Sequence, residues 1–490
     1  MLKTLQQRVP AWCDGPMRLL LGVGLVVGVL FVFIAPPWSG GADEATHFAR
    51  SIDIAGGHLT PRTVDDRSVS ILPRSYREDQ NLVVDNFYGP APINGTLIRT
   101  LLHSTPNTSD TIAYDTNATM AATPVGYLPS AIGMAIPRAL NAPGVVSLWF
   151  GRLADLLFYL FVFGLAVHVA TGFRWTIAFG AIVPMNLALA SSVTPDGVTN
   201  AAIALVLASF IRMWSQVTDG DHHGEIAQRV NGKTVALILG SGLLLALAKP
   251  PYFLILLLFG VLAFVARRNR TVLAAAGAAA VAMAVGAMST ALAASSNYGG
   301  VSESLADPIT VQPDVQKQRL LDNPFGFLRH CVTDWFSRLN DTVQIWSRRL
   351  GIWTSGPPHF VPWLLLVSFV LAAVLFDLEW FRKFRGLLRW SVALGTIALI
   401  VVLYASSFIW FDDTTWGQHM GDQIGRYSIP LFALAVIGWI PRWTFTPLAN
   451  IAEGRVTRTT ASRVALVSAL VCIATVVVAM LNNWLSTGRG

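Results

Sequence analysis

Long apolar runs alternate along the chain with short arginine-bearing segments and two longer polar stretches. A helix needs roughly 20 apolar residues to cross a bilayer, fewer where the bilayer thins. On that measure the pattern predicts spans at Leu19–Ala35, Val145–Ala170, Trp175–Leu189, Val198–Trp214, Val235–Ala248, Phe253–Val265, Val272–Ala294, Pro362–Phe376, Trp390–Trp410, Arg426–Ile440 and Val464–Leu485. That makes about eleven spans in an all-α polytopic membrane protein. The apolar segment from Thr123 to Ile136 is short and holds Pro124 and Pro129. It reads as a helix that lies in the outer leaflet or re-enters it, since prolines interrupt a helix.

Positive residues give the spans a direction. Lys3, Arg8 and Arg18 precede the first span, and Arg174, Arg229, Lys233, Arg267–Arg270, Arg382–Arg385, Arg389, Arg442, Arg455, Arg458 and Arg463 fall between spans on the same side. The excess of Lys and Arg in such loops marks the cytoplasm. A full crossing by Thr123–Ile136 would put Arg267–Arg270 and Arg382–Arg385 outside. The resulting expectation is a cytoplasmic N-terminus and first span (1–36) and a first external loop with juxtamembrane helices (37–144). Central helices (145–294), a second external, aromatic-rich loop (295–360) and C-terminal helices (361–490) follow.

Composition agrees with this layout. The 490 residues are 53% hydrophobic and 13% charged, and the mean hydropathy is +0.53. A soluble chain would carry roughly 25% charged residues. The net charge of +7 is accounted for by the cytoplasmic loops, and no basic run with interleaved aromatics points to nucleic acid. Cys13, Cys331 and Cys472 are far apart and form neither a CxxC pair nor a zinc pattern. The N-terminal apolar run lacks a small-residue cleavage site and reads as a retained span, not a signal peptide.

Chemistry concentrates just after the first span, in Pro36-Pro37-Trp38-Ser39-Gly40-Gly41-Ala42-Asp43-Glu44-Ala45-Thr46-His47-Phe48-Ala49-Arg50. The prolines end the span. A helix from Asp43 to Ala55 would stop at Gly56-Gly57 and set Asp43, His47 and Arg50 on one face at i, i+4 and i+7. The structural alternative makes Asp43 an N-cap and Glu44 a partner of the helix dipole. Further ionisable groups at the same boundary are Asp196, Lys249 and Arg426, the last beside Tyr427. Intramembrane and boundary charges are costly unless paired or lining a cavity, so each is a functional candidate. Their structural alternatives are a helix cap for Asp196, snorkelling for Lys249 and an interfacial anchor for Arg426. Arg152 and Asp155, at i and i+3, read as a structural ion pair. The His222-His223 pair reads as a solvated cytoplasmic turn.

The candidates fall into two chemical sets. The acids Asp43, Glu44 and Asp196 could take a proton from a hydroxyl nucleophile. The cations Lys249 and Arg426 could hold a phosphate and neutralise charge that grows on it as it leaves. A divalent cation on Asp43, Glu44 and Asp196 stays open, although carboxylates alone are a weak metal signature. The aromatics of the second loop, Trp335, Trp346 and Trp353, suit a sugar face or, more commonly, the bilayer interface.

The order of these landmarks carries a resemblance. Pro-Pro…Asp43-Glu44…His47-Phe48…Arg50 is followed by Gly57-His58-Leu59, Tyr127-Leu128-Pro129 and Ser192…Asp196. Lys249-Pro250, Asn323-Pro324 and Gln423-Ile424-Gly425-Arg426-Tyr427-Ser428-Ile429-Pro430 complete the series. From Pro36 to Pro430 the chain resembles the DUF2142 family of bacterial multispan proteins. It is similar, more distantly, to the GT-C superfamily of lipid-dependent glycosyltransferases. The resemblance implies a GT-C-like bundle with two large external loops and a sugar donor linked to polyprenyl phosphate. It also implies an acid in the first external loop as catalytic base, which matches Asp43. Glu44 matches the second acid of the pair and Asp196 the acid that often opens the fourth span. The family often has Pro-Asp-Glu-Pro where this chain has Ala42-Asp43-Glu44-Ala45, which keeps both acids and departs only at the flanking prolines.

The expectation is therefore an inverting membrane glycosyltransferase at the outer face of a bacterial inner membrane. Asp43, Glu44 and His47 would be catalytic, and Arg50, Asp196, Lys249, Arg426 and Tyr427 would bind substrate. Its partners would be a polyprenyl-phosphate sugar, an envelope glycan acceptor and the bilayer. Two alternatives remain: a transporter or flippase of a polyprenyl-linked glycan, and a non-catalytic envelope assembly protein. Neither internal repeats nor broken mid-membrane helices, common in transporters, are visible in the sequence.

Overall fold

The structure, a computed structural model, describes residues 14–40, 43–64, 67–88, 95–116, 119, 123–220, 232–295, 313–348, 350, 356–409, 425–440 and 457–486. The expected His222-His223 turn, Cys13, Trp353 and the basic residues Lys3, Arg8, Arg229, Arg442 and Arg455 lie outside the described residues.

Among the described residues, 6 helices are long and apolar enough to cross a membrane: Gly15–Ile34, Gly144–Val169, Pro195–Val217, Arg270–Leu292, Leu387–Ile409 and Arg463–Leu481. Gly232–Ala248, Tyr252–Val265 and Phe360–Phe376 are apolar but shorter. The first long helix, α1 (Gly15–Ile34), opens on the Asp14 cap, whose side chain accepts from Met17 N. It packs on a later helix at two glycines. A Cβ on Gly24 would come within 2.5 Å of Leu160 Cδ2, and one on Gly28 within 2.4 Å of Leu156 Cδ1. Small residues four apart are what let membrane helices approach this closely. Pro195–Val217 sits at the centre of the bundle, 94% of its apolar window buried, and its buried Thr199, Asn200 and Ser209 side chains each donate to an acceptor inside the protein.

The polar stretch after α1 folds into α2 (Glu44–Ala55), β1 (Arg62–Val64), β2 (Arg67–Pro73), α3 (Arg74–Tyr88), α4 (Gly95–His103) and β3 (Thr111–Asp115). The sequence predicted only surface helices here. The structure adds an antiparallel sheet of order β1-β2-β3, with Val64 opposite Arg67 and Ile71 opposite Ala113. Strands this short leave too little periodicity to read from sequence. A separate apolar cluster, including Trp38, Phe48, Ile52, Leu72, Tyr76, Leu101, Val145 and Leu148, ties this cap to the bundle.

Next come a 3₁₀ turn at Pro124–Tyr127, α5 (Leu128–Ala139) and α6 (Gly144–Val169). α5 is not among the long apolar helices. It lies against α6, where a Cβ on Gly133 would meet Phe150 O at 2.4 Å. The expected span Trp175–Leu189 is two short helices, α7 (Arg174–Ala181) and α8 (Pro184–Ala190). Pro184 has no N–H to continue the ladder. Asn186 bridges the break: its Nδ2 donates to Gly180 O at 2.8 Å, and its Oδ1 accepts from Asn200 Nδ2 at 2.6 Å. A broken helix is therefore present after all, with its freed polar groups satisfied inside the protein.

The chain continues through α9 (Pro195–Gly220), α10 (Gly232–Ala248), a 3₁₀ segment at Tyr252–Leu256, α11 (Leu257–Val265) and α12 (Arg270–Ser295). The remaining helices are α13 (Pro313–Asp322), α14 (Pro324–Ser337), α15 (Leu339–Ser347), α16 (Phe360–Phe376), α17 (Leu378–Lys383), α18 (Leu387–Ile409), α19 (Phe432–Trp439) and α20 (Thr457–Ser486). A helical turn at residues 425–428 and a 3₁₀ turn at Ile429–Leu431 lead into α19.

Candidate functional site

The acidic motif is built around a buried arginine. Arg152 lies on α6, and neither its side chain nor that of Glu44 is exposed. Its Nε donates to Glu44 Oε1 at 2.8 Å and its Nη2 to Glu44 Oε2 at 2.5 Å. The same guanidinium donates to Val32 O, Ala35 O and Pro36 O at 3.1, 3.0 and 2.8 Å. These carbonyls belong to the end of α1, where helix carbonyls lack intrahelical partners. Glu44 also accepts from Gly40 N at 2.9 Å and from Val193 N at 3.0 Å. The expected Arg152–Asp155 pair is therefore corrected. The arginine is long enough to reach across to α1 and spends its donors there and on Glu44.

This arrangement fixes where Asp43 points. Asp43 occupies the N-cap position of α2 with φ 62°, in the left-handed region, and its side chain makes no capping bond. It is not a structural cap. Its carboxylate is 61% exposed and lies 3.5 Å from Arg426 Nη2, a residue 383 positions away. The Asp43 carbonyl, meanwhile, accepts from His47 N at 3.0 Å.

A second acid–base pair stands beside the first. Asp196, in the first turn of α9, is 2.5 Å from Lys249 Nζ, just past the end of α10. Tyr427 joins the two pairs. Its hydroxyl accepts from Arg426 Nη2 at 2.8 Å, and Lys249 Nζ lies 4.4 Å from its ring centroid. The Tyr427 carbonyl accepts from the buried Tyr252 hydroxyl at 2.8 Å. Burial opposes the positive charge on Lys249, yet Asp196 and Tyr427 outweigh it and hold the ammonium above its usual range.

His47 faces this group from α2. Its Nδ1 is 2.9 Å from the hydroxyl of the fully buried Tyr127. Burial pushes the imidazole down to about 4, against the opposing pull of Asp196 and Asp43 and helped by Lys249 and Arg426. At neutral pH it is an uncharged donor–acceptor amid four charged groups.

Of the residues expected at a site, Asp43, His47, Asp196, Lys249, Arg426 and Tyr427 come together. Glu44 and Arg50 do not join them. Glu44 is saturated by Arg152 and two backbone amides. Arg50 turns away, donating to His58 O at 3.2 Å and to Leu59 O, with Asp53 at 3.7 Å. The shared face expected for Asp43, His47 and Arg50 thus ends at His47. Because Glu44 is withdrawn, Asp43, Glu44 and Asp196 do not form one ligand set. Among the described residues no group of three or more metal-ligating side chains is found. Tyr127 and Tyr252 join the site without having been expected there, and Arg152 pairs with Glu44 and not with Asp155. Tyr127 is 80 positions from His47, and nothing local marks such contacts.

A helical bundle capped by a small polar domain, with alternating acids and bases between them, defines a multi-helix membrane protein carrying a charged site at one end. The chain belongs to the family described as "Predicted membrane protein (DUF2142)", whose profile matches residues 25–435. No curated protein matches it.

Proposed function

We propose that this protein is an inverting glycosyltransferase of GT-C type, with about eleven spans and its N-terminus in the cytoplasm of a bacterium. The Asp43 end of the bundle then faces outward, because the arginine-rich connections lie at the other end. The donor is a sugar on a polyprenyl phosphate and the acceptor an envelope glycan hydroxyl.

The Asp43 carboxylate takes the proton of that hydroxyl. The freed oxygen bonds to the anomeric carbon from the face opposite the lipid, and the bond from that carbon to the phosphate oxygen breaks. The electron pair stays on the departing polyprenyl phosphate, whose growing charge Arg426 and Lys249 neutralise. His47, uncharged, positions the acceptor by hydrogen bonding.

The observation that carries this reading is the 3.5 Å approach of Arg426 to a largely exposed Asp43, with Lys249 held to the same tyrosine. A proton acceptor and two cations thereby share one site. The test is to supply the purified protein with polyprenyl-phosphate sugars and follow release of polyprenyl phosphate. The wild type should release it, and Asp43→Asn should bind the donor without turnover. Full activity in that variant would remove Asp43 from the mechanism.

The break between α7 and α8 favours a second reading, transport of a polyprenyl-linked glycan. On that reading Asp43→Asn would leave lipid translocation intact and no sugar would change hands.

A further inference from the structure

The segment of α14 and α15 was expected in an external loop, yet its contacts run deep along a membrane helix. Near the start of α14, Phe327 packs on Phe408, next to the Ile409 end of α18, at 5.8 Å between rings. Farther along, Asp334 accepts from Tyr404 at 2.9 Å. Trp335 then reaches Trp439, rings 5.5 Å apart, and Trp439 Nε1 donates to Ala393 O at 3.1 Å. Ala393 is sixteen residues from Ile409, about 24 Å at 1.5 Å per residue. Even after the ring spacing is subtracted, Trp335 sits well inside the span. On the return arm, Val343 lines an apolar cavity with Val183 and Pro184, at the break between α7 and α8.

The outward face of α14 fits this depth. Phe325, Leu328, Val332 and Phe336 are 83%, 41%, 53% and 67% exposed and make one apolar stripe. The exposed Arg329 flanks the stripe one turn into α14, close enough to its start for the guanidinium to snorkel to the interface, and the buried Nε2 atom of His330 has no hydrogen-bond partner among the described residues. The hydroxyls and the carboxylate deeper along α14 are satisfied internally. Thr333 Oγ1 donates to Arg329 O and His330 O, both at 3.0 Å, and Ser337 Oγ donates to Asp334 O at 3.0 Å. Asp334 is paired with Arg338 Nε at 3.0 Å. Hydroxyls bonded to helix carbonyls and a paired carboxylate are what a helix in hydrocarbon requires.

We propose that α14 and α15 form a re-entrant hairpin that dips into the bilayer from the Asp43 end and presents the Phe325–Phe336 stripe to lipid acyl chains. The return arm brings Trp346 back to that end. Its Nε1 donates to Gly425 O at 2.9 Å and lies 3.3 Å from Ser428 Oγ. The hairpin therefore braces the turn that carries Arg426.

Nitroxide labels on single cysteines test this in the full chain, with Cys13, Cys331 and Cys472 replaced by alanine, in phosphatidylethanolamine–phosphatidylglycerol vesicles. Labels at Phe325→Cys, Val332→Cys and Phe336→Cys are compared with one at the exposed Leu59→Cys. Collision with oxygen should exceed collision with a water-soluble nickel chelate several-fold at 332 and 336. The excess should grow from 325 to 336 and reverse at 59. Nickel access at 332 and 336 matching that at 59 would place α14 in water. An equal shallow depth at 325, 332 and 336 would lay it flat on the surface. Either result overturns the hairpin. Should the 336 variant not fold, the 325-to-332 gradient decides alone.

Discussion

Arg152 and Glu44 form an ion pair with neither side chain exposed and 2.5 Å between Nη2 and Oε2. Through it the end of α1, the start of α2, the first half of α6 and the turn before α9 meet at one point. Asp43 directly precedes Glu44 on one side, and Asp196 lies three residues after Val193 on the other. The node therefore sets the positions of two acids it does not itself touch.

Removing one partner of such a pair strands a buried charge. Glu44→Ala and Arg152→Ala should each lose about 3–5 kcal/mol of stability. The double variant should lose less than the sum of the two, because the residues act as one unit. Thermal unfolding in detergent, read as a double-mutant cycle, gives the coupling.

Asp43 carries no such burden. Asp43→Asn should stay within about 0.5 kcal/mol of wild type, since the side chain is exposed and makes no capping bond. Asp43→Val should cost about 1–2 kcal/mol, because a β-branched residue is strained at positive φ. Unfolding midpoints of the two variants separate backbone strain from loss of the carboxylate.

The His47 imidazole, pushed down to about 4 by burial, gives a pH signature. The unfolded chain takes up this proton near pH 6.5 and the folded chain only near 4. Stability from this group is therefore complete above about pH 6.5. It falls as pH drops toward 4 and is flat below that value. His47→Gln should remove that slope, as measured by unfolding between pH 4 and 7.

Tyr427 offers two separable contacts. Tyr427→Phe deletes the hydroxyl that accepts from Arg426 but keeps the ring face beside Lys249. On the proposed transferase reading, a loss of about tenfold in kcat/KM is expected, in line with one charged hydrogen bond. Tyr427→Ala also removes the ring, and about a further tenfold loss should follow from the cation–π contact. Polyprenyl phosphate release at graded donor concentration measures both.

Hydrophobic periodicity and the placement of arginines made the helical membrane class legible, because the bilayer imposes its length scale on sequence; the family was legible only as a resemblance, through the order of short motifs from Pro36 to Pro430. Local order also supplied the helix expected from Asp43 to Ala55, which the structure has at Glu44–Ala55, and marked Asp43, His47, Asp196, Lys249 and Arg426 as costly charges near boundaries. What the sequence could not supply was partnership. Arg152 sits three positions from Asp155 but pairs with Glu44, 108 positions away, since a long guanidinium answers to whichever acceptors the packed helices bring near. For the same reason Glu44 and Arg50, neighbours of Asp43 in sequence, point away from it, while Arg426 arrives from the far end of the chain. Side-chain direction on a helix follows its periodicity, but the identity of the opposing surface is decided only when the helices pack.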